Sequence, residues 1–350
     1  MFCAVWAACG GAPTDLSNQT SGGKADRLGG SSWSSERDLP ERWGSQILPR
    51  FMQNATFGEF AGVNATRIRY AKFEREDEQG ALVILNGRNE SYLKYAELVD
   101  DLSTLGYSLY LLDHRGQGFS DRLLADPQKG YVDDFDDYVG DVKLFVETVV
   151  KQRAHDKIFL LAHSLGGAIS TAYLERYPTD FDAIVLSAPL HEFNTGKIPE
   201  SVARGLIDSE ILIGHDTDYA PTQGPYDPSA TNDVSHSDVR FAISRTLKAK
   251  VPQIILGGST NHWMKQCFTA LDGFAAGASA IAAPILLFQA TDDQLVRAGG
   301  QDAFCAAAQS CRKVVFQGAG HEILQERDDL RSAALDQIRD FFAEQRSATH

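Results

Sequence analysis

Apolar residues in this chain fall into short continuous runs, separated by longer stretches where they recur every three or four positions. "ALVILNG" (81–87), "SLYLLDH" (108–114), "KIFLLAH" (157–163) and "DAIVLSAP" (182–189) are such runs. A strand covered by helices on both faces needs an apolar side chain at nearly every position, so these read as strands of a buried sheet. "RIRYAKF" (67–73) alternates instead, as a more exposed strand does. Between the runs, Tyr95, Leu98, Leu102 and Leu105 mark one face of a helix that stops at Gly106, and Phe135, Tyr138, Val142, Phe145 and Val149 mark another. The rhythm breaks between about 190 and 262, where Pro, Gly, Asp and His are frequent and only short helical patterns survive. "PILLFQA" (284–290) and "RKVVFQG" (312–318) then restore the sheet, and a last helix is predicted over about 328–344. Strands alternating with helices predict an α/β fold with a doubly wound, mostly parallel sheet. The broken stretch predicts a cap inserted into a domain that spans 41–350.

The 350 residues suit one large domain with an insertion, or two smaller ones. A formal charge of −14 argues against nucleic-acid binding and offers no attraction to anionic membranes. Five cysteines are too few for a disulfide scaffold, and no C-x-x-C pair suggests zinc. Cys305 and Cys311 flank a helix end, either as a disulfide in an oxidising compartment or as two ordinary core residues. The start, "MFCAVWAACGG", resembles the tail of a bacterial lipoprotein signal with Cys9 as the lipidated residue, although it lacks a basic region before the apolar run. Residues 10–40, rich in Gly, Ser, Asp and Thr, read as a flexible tether. The expectation is a lipoprotein or secreted protein of the bacterial cell envelope, with a cytoplasmic or inner-membrane-peripheral location as the alternative. The longest apolar stretch, from Phe274, is interrupted by Pro284 and reads as a helix end and a strand, not a membrane span.

The polar residues with chemical potential stand just after buried strands, where the sites of open α/β sheets lie. Ser164, in "KIFLLAHSLGGAIS", follows one strand and opens a Gly-rich helix. A sharp strand-to-helix turn there exposes the hydroxyl and needs small neighbours, which Ala162, Gly166 and Gly167 supply. The G-x-S-x-G pattern is broken at Ala162, and a helix-capping Ser is the competing reading. A nucleophilic Ser needs a base, and the base an orienting acid, in the order Ser, acid, His. His321, in "FQGAGHEIL", follows the last strand beside two glycines and is the expected base. "TDDQLV" offers Asp292 and Asp293 as acid, with Asp293 preferred for standing a few residues past the strand; Glu192 is a weaker third candidate. The two N–H donors of an oxyanion hole are expected from Leu165 and Arg88. No metal or cofactor is called for by this chemistry.

Together the blocks "LNGRNESYLKYAELVDDL", "LDHRGQGFSDRLLADP", "DDYVGDV", "LLAHSLGGAIS", "GGSTNHW", "LFQATDDQLV" and "GAGHEILQE" resemble the α/β-hydrolase superfamily, within it the monoacylglycerol lipase and lysophospholipase group. The likeness is strongest to bacterial membrane-associated lysophospholipases and covers roughly residues 80–330. The resemblance implies Ser164 as nucleophile, Asp293 as acid, His321 as base, and Arg88 and Leu165 as oxyanion donors. It also implies a lipid ester substrate, with peripheral or lipid-anchored membrane association as a further expectation. Asn86 stands where monoacylglycerol lipases carry His, which favours the lysophospholipases. "DHRGQG" resembles that group's structural loop, with Arg115 as an internal salt-bridge partner. Trp263 and other apolar cap residues are expected to accept the acyl chain. Competing functions are a monoacylglycerol lipase, a carboxylesterase or a proline-type peptidase on the same residues, and a non-catalytic binding protein of this fold. A dinucleotide enzyme is disfavoured, because "HRGQGFSD" lacks the third Gly and opens no helix.

Overall fold

The computed structural model describes residues 33–347. Cys9, the signal-like segment and the tether up to residue 32 lie outside the described residues. The rest of the expected tether, 33–40, is not one. Trp33 Nε1 donates to Asp336 Oδ1 at 3.0 Å, and the Ser34 N–H and hydroxyl both donate to Asp101 Oδ1 at 2.8 and 2.9 Å. Composition misleads here because two apolar side chains, Trp33 and Leu39, anchor an otherwise polar stretch.

A helical turn at Leu39–Arg42 and a π-helical segment, Trp43–Ile47, lead into α1 (Leu48–Asn54). There follow β1 (Thr56–Ala61), β2 (Arg67–Phe73), β3 (Ala81–Leu85), α2 (Ala96–Ser103), β4 (Ser108–Asp113), α3 (Phe135–Thr148), β5 (Ile158–His163), α4 (Leu165–Arg176) and β6 (Ala183–Ser187). After β6 come α5 (Glu200–Leu212), α6 (Asp238–Lys250) and α7 (Asn261–Leu271), then β7 (Ile285–Ala290), α8 (Ala298–Ala307), β8 (Cys311–Phe316) and α9 (Asp328–Ser347). Strand order is β1-β2-β4-β3-β5-β6-β7-β8, with β2 antiparallel to β1 and β4 and every other pair parallel. The order reverses at β3, which lies between β4 and β5, and ligands of open α/β sheets bind at such a crevice.

Period-two alternation divides the core. Leu82, Ile84, Leu109, Leu111, Phe159 and Leu161 face α2 and α9, while Val83, Leu85, Tyr110, Leu112, Leu160 and Ala162 face α3 and α4. The continuous apolar runs thus serve two cores at once. Cys305 and Cys311 form a disulfide joining the end of α8 to the start of β8. Among the described residues, no helix is long and apolar enough to cross a membrane.

The insert between β6 and β7 runs past the boundary expected near 262, because α7 packs on α5 and ends at Leu271. Its middle helix is bound to the body by charge. Arg240 of α6 is buried, with Nη2 at 2.9 Å from Glu97 Oε1 and 3.0 Å from Asp328 Oδ1, and Nη1 donating to Glu326 O at 2.7 Å. Buried Arg331 reaches Asp101 Oδ2 at 2.7 Å beside it. Removing one member of such a cluster leaves a buried charge uncompensated. Arg240→Leu is therefore expected to cost about 3–5 kcal/mol, read as a fall in the chemical-denaturation midpoint. A loss below 1 kcal/mol would show that α6 is not held by these charges.

Candidate active site

β5 delivers Ser164 to the carboxyl edge of the sheet with φ 50° and ψ −116°, a backbone conformation that residues other than Gly rarely adopt. Its side chain makes no capping bond to the first turn of α4, so the capping alternative does not describe it. Two glycines permit the turn. A Cβ on Gly166 would lie 2.4 Å from Leu85 O, and one on Gly167 would lie 2.6 Å from Pro189 Cβ. Ala162 meets no such obstacle. It sits within β5, fully buried between Leu85 and Leu186 of the neighbouring strands. The position tolerates a methyl group because it belongs to the core, not to the crowded turn.

Ser164 Oγ lies 2.8 Å from His321 Nε2, and His321 Nδ1 lies 2.7 Å from Asp293 Oδ2. His321 hangs on the loop after β8, whose Gly320 has no room for a side chain: a Cβ would lie 2.7 Å from Val234 O. Asp293 Oδ1 accepts the N–H groups of Leu295 and Val296 at 2.8 and 2.9 Å. Burial raises the Asp293 pKa, but His321 and these two N–H groups outweigh it and hold the carboxyl below its ordinary range. Asp292 turns the other way, 49% exposed in its side chain and 3.8 Å from His236 Nε2. Glu192 lies 3.8 Å from Arg297. The structure brings Ser164, His321 and Asp293 together and leaves Asp292 and Glu192 outside.

The Leu165 N–H, first in α4, and the Arg88 N–H, in the loop after β3, have no acceptor among the described residues. The two loops touch, since a Cβ on Gly166 would also lie 2.7 Å from Asn86 O. An N–H at a helix N-terminus and a loop N–H, both left free beside a reacting carbon, are the donors an oxyanion requires.

Several residues that sequence reasoning did not single out shape this loop. Gln117 Nε2 donates to Gly87 O at 2.7 Å and to Glu90 O at 3.2 Å. Glu90, buried, accepts from the Gly87 N–H at 2.6 Å, the Tyr95 hydroxyl at 2.7 Å and Lys94 Nζ at 2.7 Å. Lys94 also donates to Glu322, beside His321, at 2.5 Å. One ion pair chain thus ties the loop after β3 to the loop after β8. Burial opposes the charge on Glu90, but the Lys94 ammonium and the hydrogen bonds from Lys94 and Tyr95 hold its pKa down to about 2. The available signal was the i, i+4 spacing of Glu90 and Lys94. Asp113, the first residue of "DHRGQG", accepts the N–H groups of Tyr92 and Phe119 at 2.6 and 2.8 Å. Arg115 is taken up by Asp137 and Asp141 at 2.6 and 2.7 Å, as a structural residue. His163 points away from Ser164, with Nδ1 3.1 Å from Ser187 O, and burial lowers its pKa, keeping the ring neutral beside His321. Among the described residues, no group of His, Cys, Asp and Glu is placed to hold a metal ion.

Residues 76–328 match the family described as serine aminopeptidase, S33. The chain is 39% identical to lysophospholipase L2 of Escherichia coli K12 over 305 residues, covering 84% of this chain and 89% of that one. It is 30% identical to a probable lysophospholipase L2 of Haemophilus influenzae, covering 85% and 95%. A monoacylglycerol lipase of Mycolicibacterium smegmatis is 27% identical, covering 76% and 90%. Among solved structures, a carboxyl esterase from Bacillus coagulans superposes with a TM-score of 0.68 at 15% identity, covering 83% of this chain and 99% of that one. A monoglyceride lipase from Saccharomyces cerevisiae does so at 0.64 and 16%, covering 83% and 96%. The structural likeness establishes the fold, the sequence match covers most of the chain, and the chain belongs to the serine aminopeptidase S33 family of α/β-hydrolases.

Proposed function

We propose that this protein releases fatty acid from single-chain phospholipids through an acyl-enzyme on Ser164. As a member of this family with lysophospholipase relatives, the chain is a carboxylic ester hydrolase. The observation that carries the finer reading is the continuous hydrogen-bonded run from Ser164 through His321 to Asp293, in a chain 39% identical to a lysophospholipase.

With Nδ1 protonated toward Asp293, His321 Nε2 accepts the Ser164 proton as Oγ attacks the ester carbonyl. The tetrahedral oxyanion receives the N–H groups of Leu165 and Arg88. As the C–O bond to the glycerol breaks, His321 returns its proton to the leaving oxygen, and Ser164 keeps the acyl group. Water, deprotonated by His321, attacks the acyl-enzyme; fatty acid leaves and Ser164 regains its proton. Asp293, held in its charged form, stabilises the imidazolium at both steps. The insert between β6 and β7 acts as a cap over this centre. There Phe193 packs against Trp263 at 6.3 Å and Phe268 at 5.0 Å between ring centroids, a largely buried apolar layer that holds the cap together.

The test is a panel of 1-palmitoyl lysophosphatidylcholine, 1-monopalmitoylglycerol, a short p-nitrophenyl ester and an aminoacyl-proline substrate in one neutral detergent. The expected order places the lysophospholipid first in kcat/KM. If monopalmitoylglycerol is turned over faster, the reading moves to a monoacylglycerol lipase on the same residues.

A further inference from the structure

Two cations without counter-ions meet the loop after β3, one on the loop itself and one on α6. Arg88 lies half-buried with its guanidinium 5.1 Å from the centroid of the Trp263 ring. Its Nη2 donates to Gly257 O at 2.7 Å, and its Nε is buried without an acceptor. Lys248, at the end of α6, donates from Nζ to Asn89 Oδ1 at 3.0 Å and sits 5.1 Å from the Tyr226 ring centroid. Neither has a carboxylate partner among the described residues, in a chain whose net charge is −14. The nearby acids, Glu90 and Glu322, are both held by Lys94. Burial lowers the Arg88 pKa to about 10, and burial with the like charge of Lys94 lowers that of Lys248 to about 8. Both shifts have the sign of cations short of a neighbouring negative charge.

Holding cations out of water with no anion beside them costs free energy that their ring and carbonyl contacts recover only in part. An anionic ligand would recover it on binding. The place is specific. Arg88 offers its backbone N–H toward the reacting centre, and its side chain crosses under the cap onto Trp263, whose ring neighbours Phe193. If the ester carbonyl sits at the Arg88 N–H, an anion a few bonds away in the same molecule falls within reach of that residue's own side chain. In a single-chain phospholipid that group is the phosphate.

We propose that the Arg88 guanidinium and the Lys248 ammonium form a phosphate subsite that selects glycerophospho esters over uncharged glycerol esters. The proposal deepens the lysophospholipid reading and rests on it. Phosphate would displace no existing ion pair, and Arg88 Nη1, which makes no hydrogen bond among the described residues, is left to donate to it. Arg88 is thereby a specificity residue through its side chain, separately from its N–H.

The experiment compares the ratio of kcat/KM for 1-palmitoyl lysophosphatidylcholine to that for 1-monopalmitoylglycerol in wild type, Arg88→Met, Arg88→Lys and Lys248→Met. Any disturbance of the oxyanion donors acts on both esters and cancels in the ratio. The expected result is a fall of at least tenfold in Arg88→Met and about threefold or more in Lys248→Met, with Arg88→Lys falling between wild type and Arg88→Met. Inhibition by sn-glycerol 3-phosphate, read on a short p-nitrophenyl ester, should weaken at least tenfold in Arg88→Met. Ratios within twofold of wild type in both Met variants, with inhibition unchanged, overturn the subsite. A wild type that prefers monopalmitoylglycerol overturns the lysophospholipid reading instead, and glycerol phosphate inhibition alone then decides the subsite. If Arg88→Met fails to fold, Arg88→Lys and Lys248→Met carry the same comparison.

Discussion

Ser164→Ala is expected to lower kcat by about 10⁵- to 10⁶-fold, the loss found when a serine hydrolase is deprived of its nucleophile. The fold should survive. Ala and Ser meet the same backbone difficulty at φ 50°, so the substitution adds no strain at the turn. The hydroxyl touches His321 alone among side chains, and it is only half-buried, so its removal opens no sealed cavity. Substrate binding should change little, because the N–H groups of Leu165 and Arg88 and the apolar cap are untouched. A residual rate above background is expected from those groups alone. Turnover of the lipid panel, labelling by a fluorophosphonate and the thermal midpoint measure the three points. Retention of more than about 1% of wild-type turnover with an unchanged midpoint would remove Ser164 from the role assigned to it, since the oxyanion donors account for far less.

The sheet was legible because its central strands are buried on both faces, which forces continuous apolar runs such as "ALVIL" and "IFLLAH". The edge was not. β1, "TFGEFA", pairs on one side only and is half-exposed, and its Gly58 faces the Tyr70 ring so closely that a Cβ would lie 2.3 Å away. It carries neither the run nor the alternation of a buried strand. The helical segments before it were hidden by Pro40 and Pro49, which stand at first-turn positions where proline is tolerated. Ser164, His321 and the acid were legible because each follows a strand end, a position that the fold's topology singles out. The bracing of that site was not legible. Gln117 meets Gly87 across 30 residues, and Lys94 meets Glu322 across 228, and no local pattern announces such pairs. The same applies to the two cations: sequence displays Arg88 and Lys248, but only their surroundings reveal that neither has a carboxylate partner.

Asp293→Asn is expected to lower kcat about 10³- to 10⁴-fold, and Asp292→Asn less than threefold. The two carboxylates are adjacent in sequence and opposite in circumstance: the Asp293 side chain is 4% exposed and that of Asp292 is 49% exposed. Asp293 makes three contacts at once, with Oδ1 accepting two backbone N–H groups and Oδ2 facing His321. An amide in its place keeps the volume but removes the charge. If its oxygen stays on the backbone donors, its NH2 faces Nδ1 and forces the proton to Nε2, so His321 presents a donor to Ser164 where an acceptor is needed. If it flips, the two N–H groups of Leu295 and Val296 lose their acceptor and the loop after β7 loosens. Both arrangements depress kcat, and the first leaves the thermal midpoint nearly unchanged. Asp292 offers neither contact, so its amide should cost only the weak attraction to His236 at 3.8 Å, a surface pair of about 0–1 kcal/mol at most. Steady-state kcat on the preferred lipid and the thermal midpoint of both variants decide the matter. A severe loss in Asp292→Asn with a mild one in Asp293→Asn would place the acid one residue earlier and require the loop after β7 to rearrange when substrate binds.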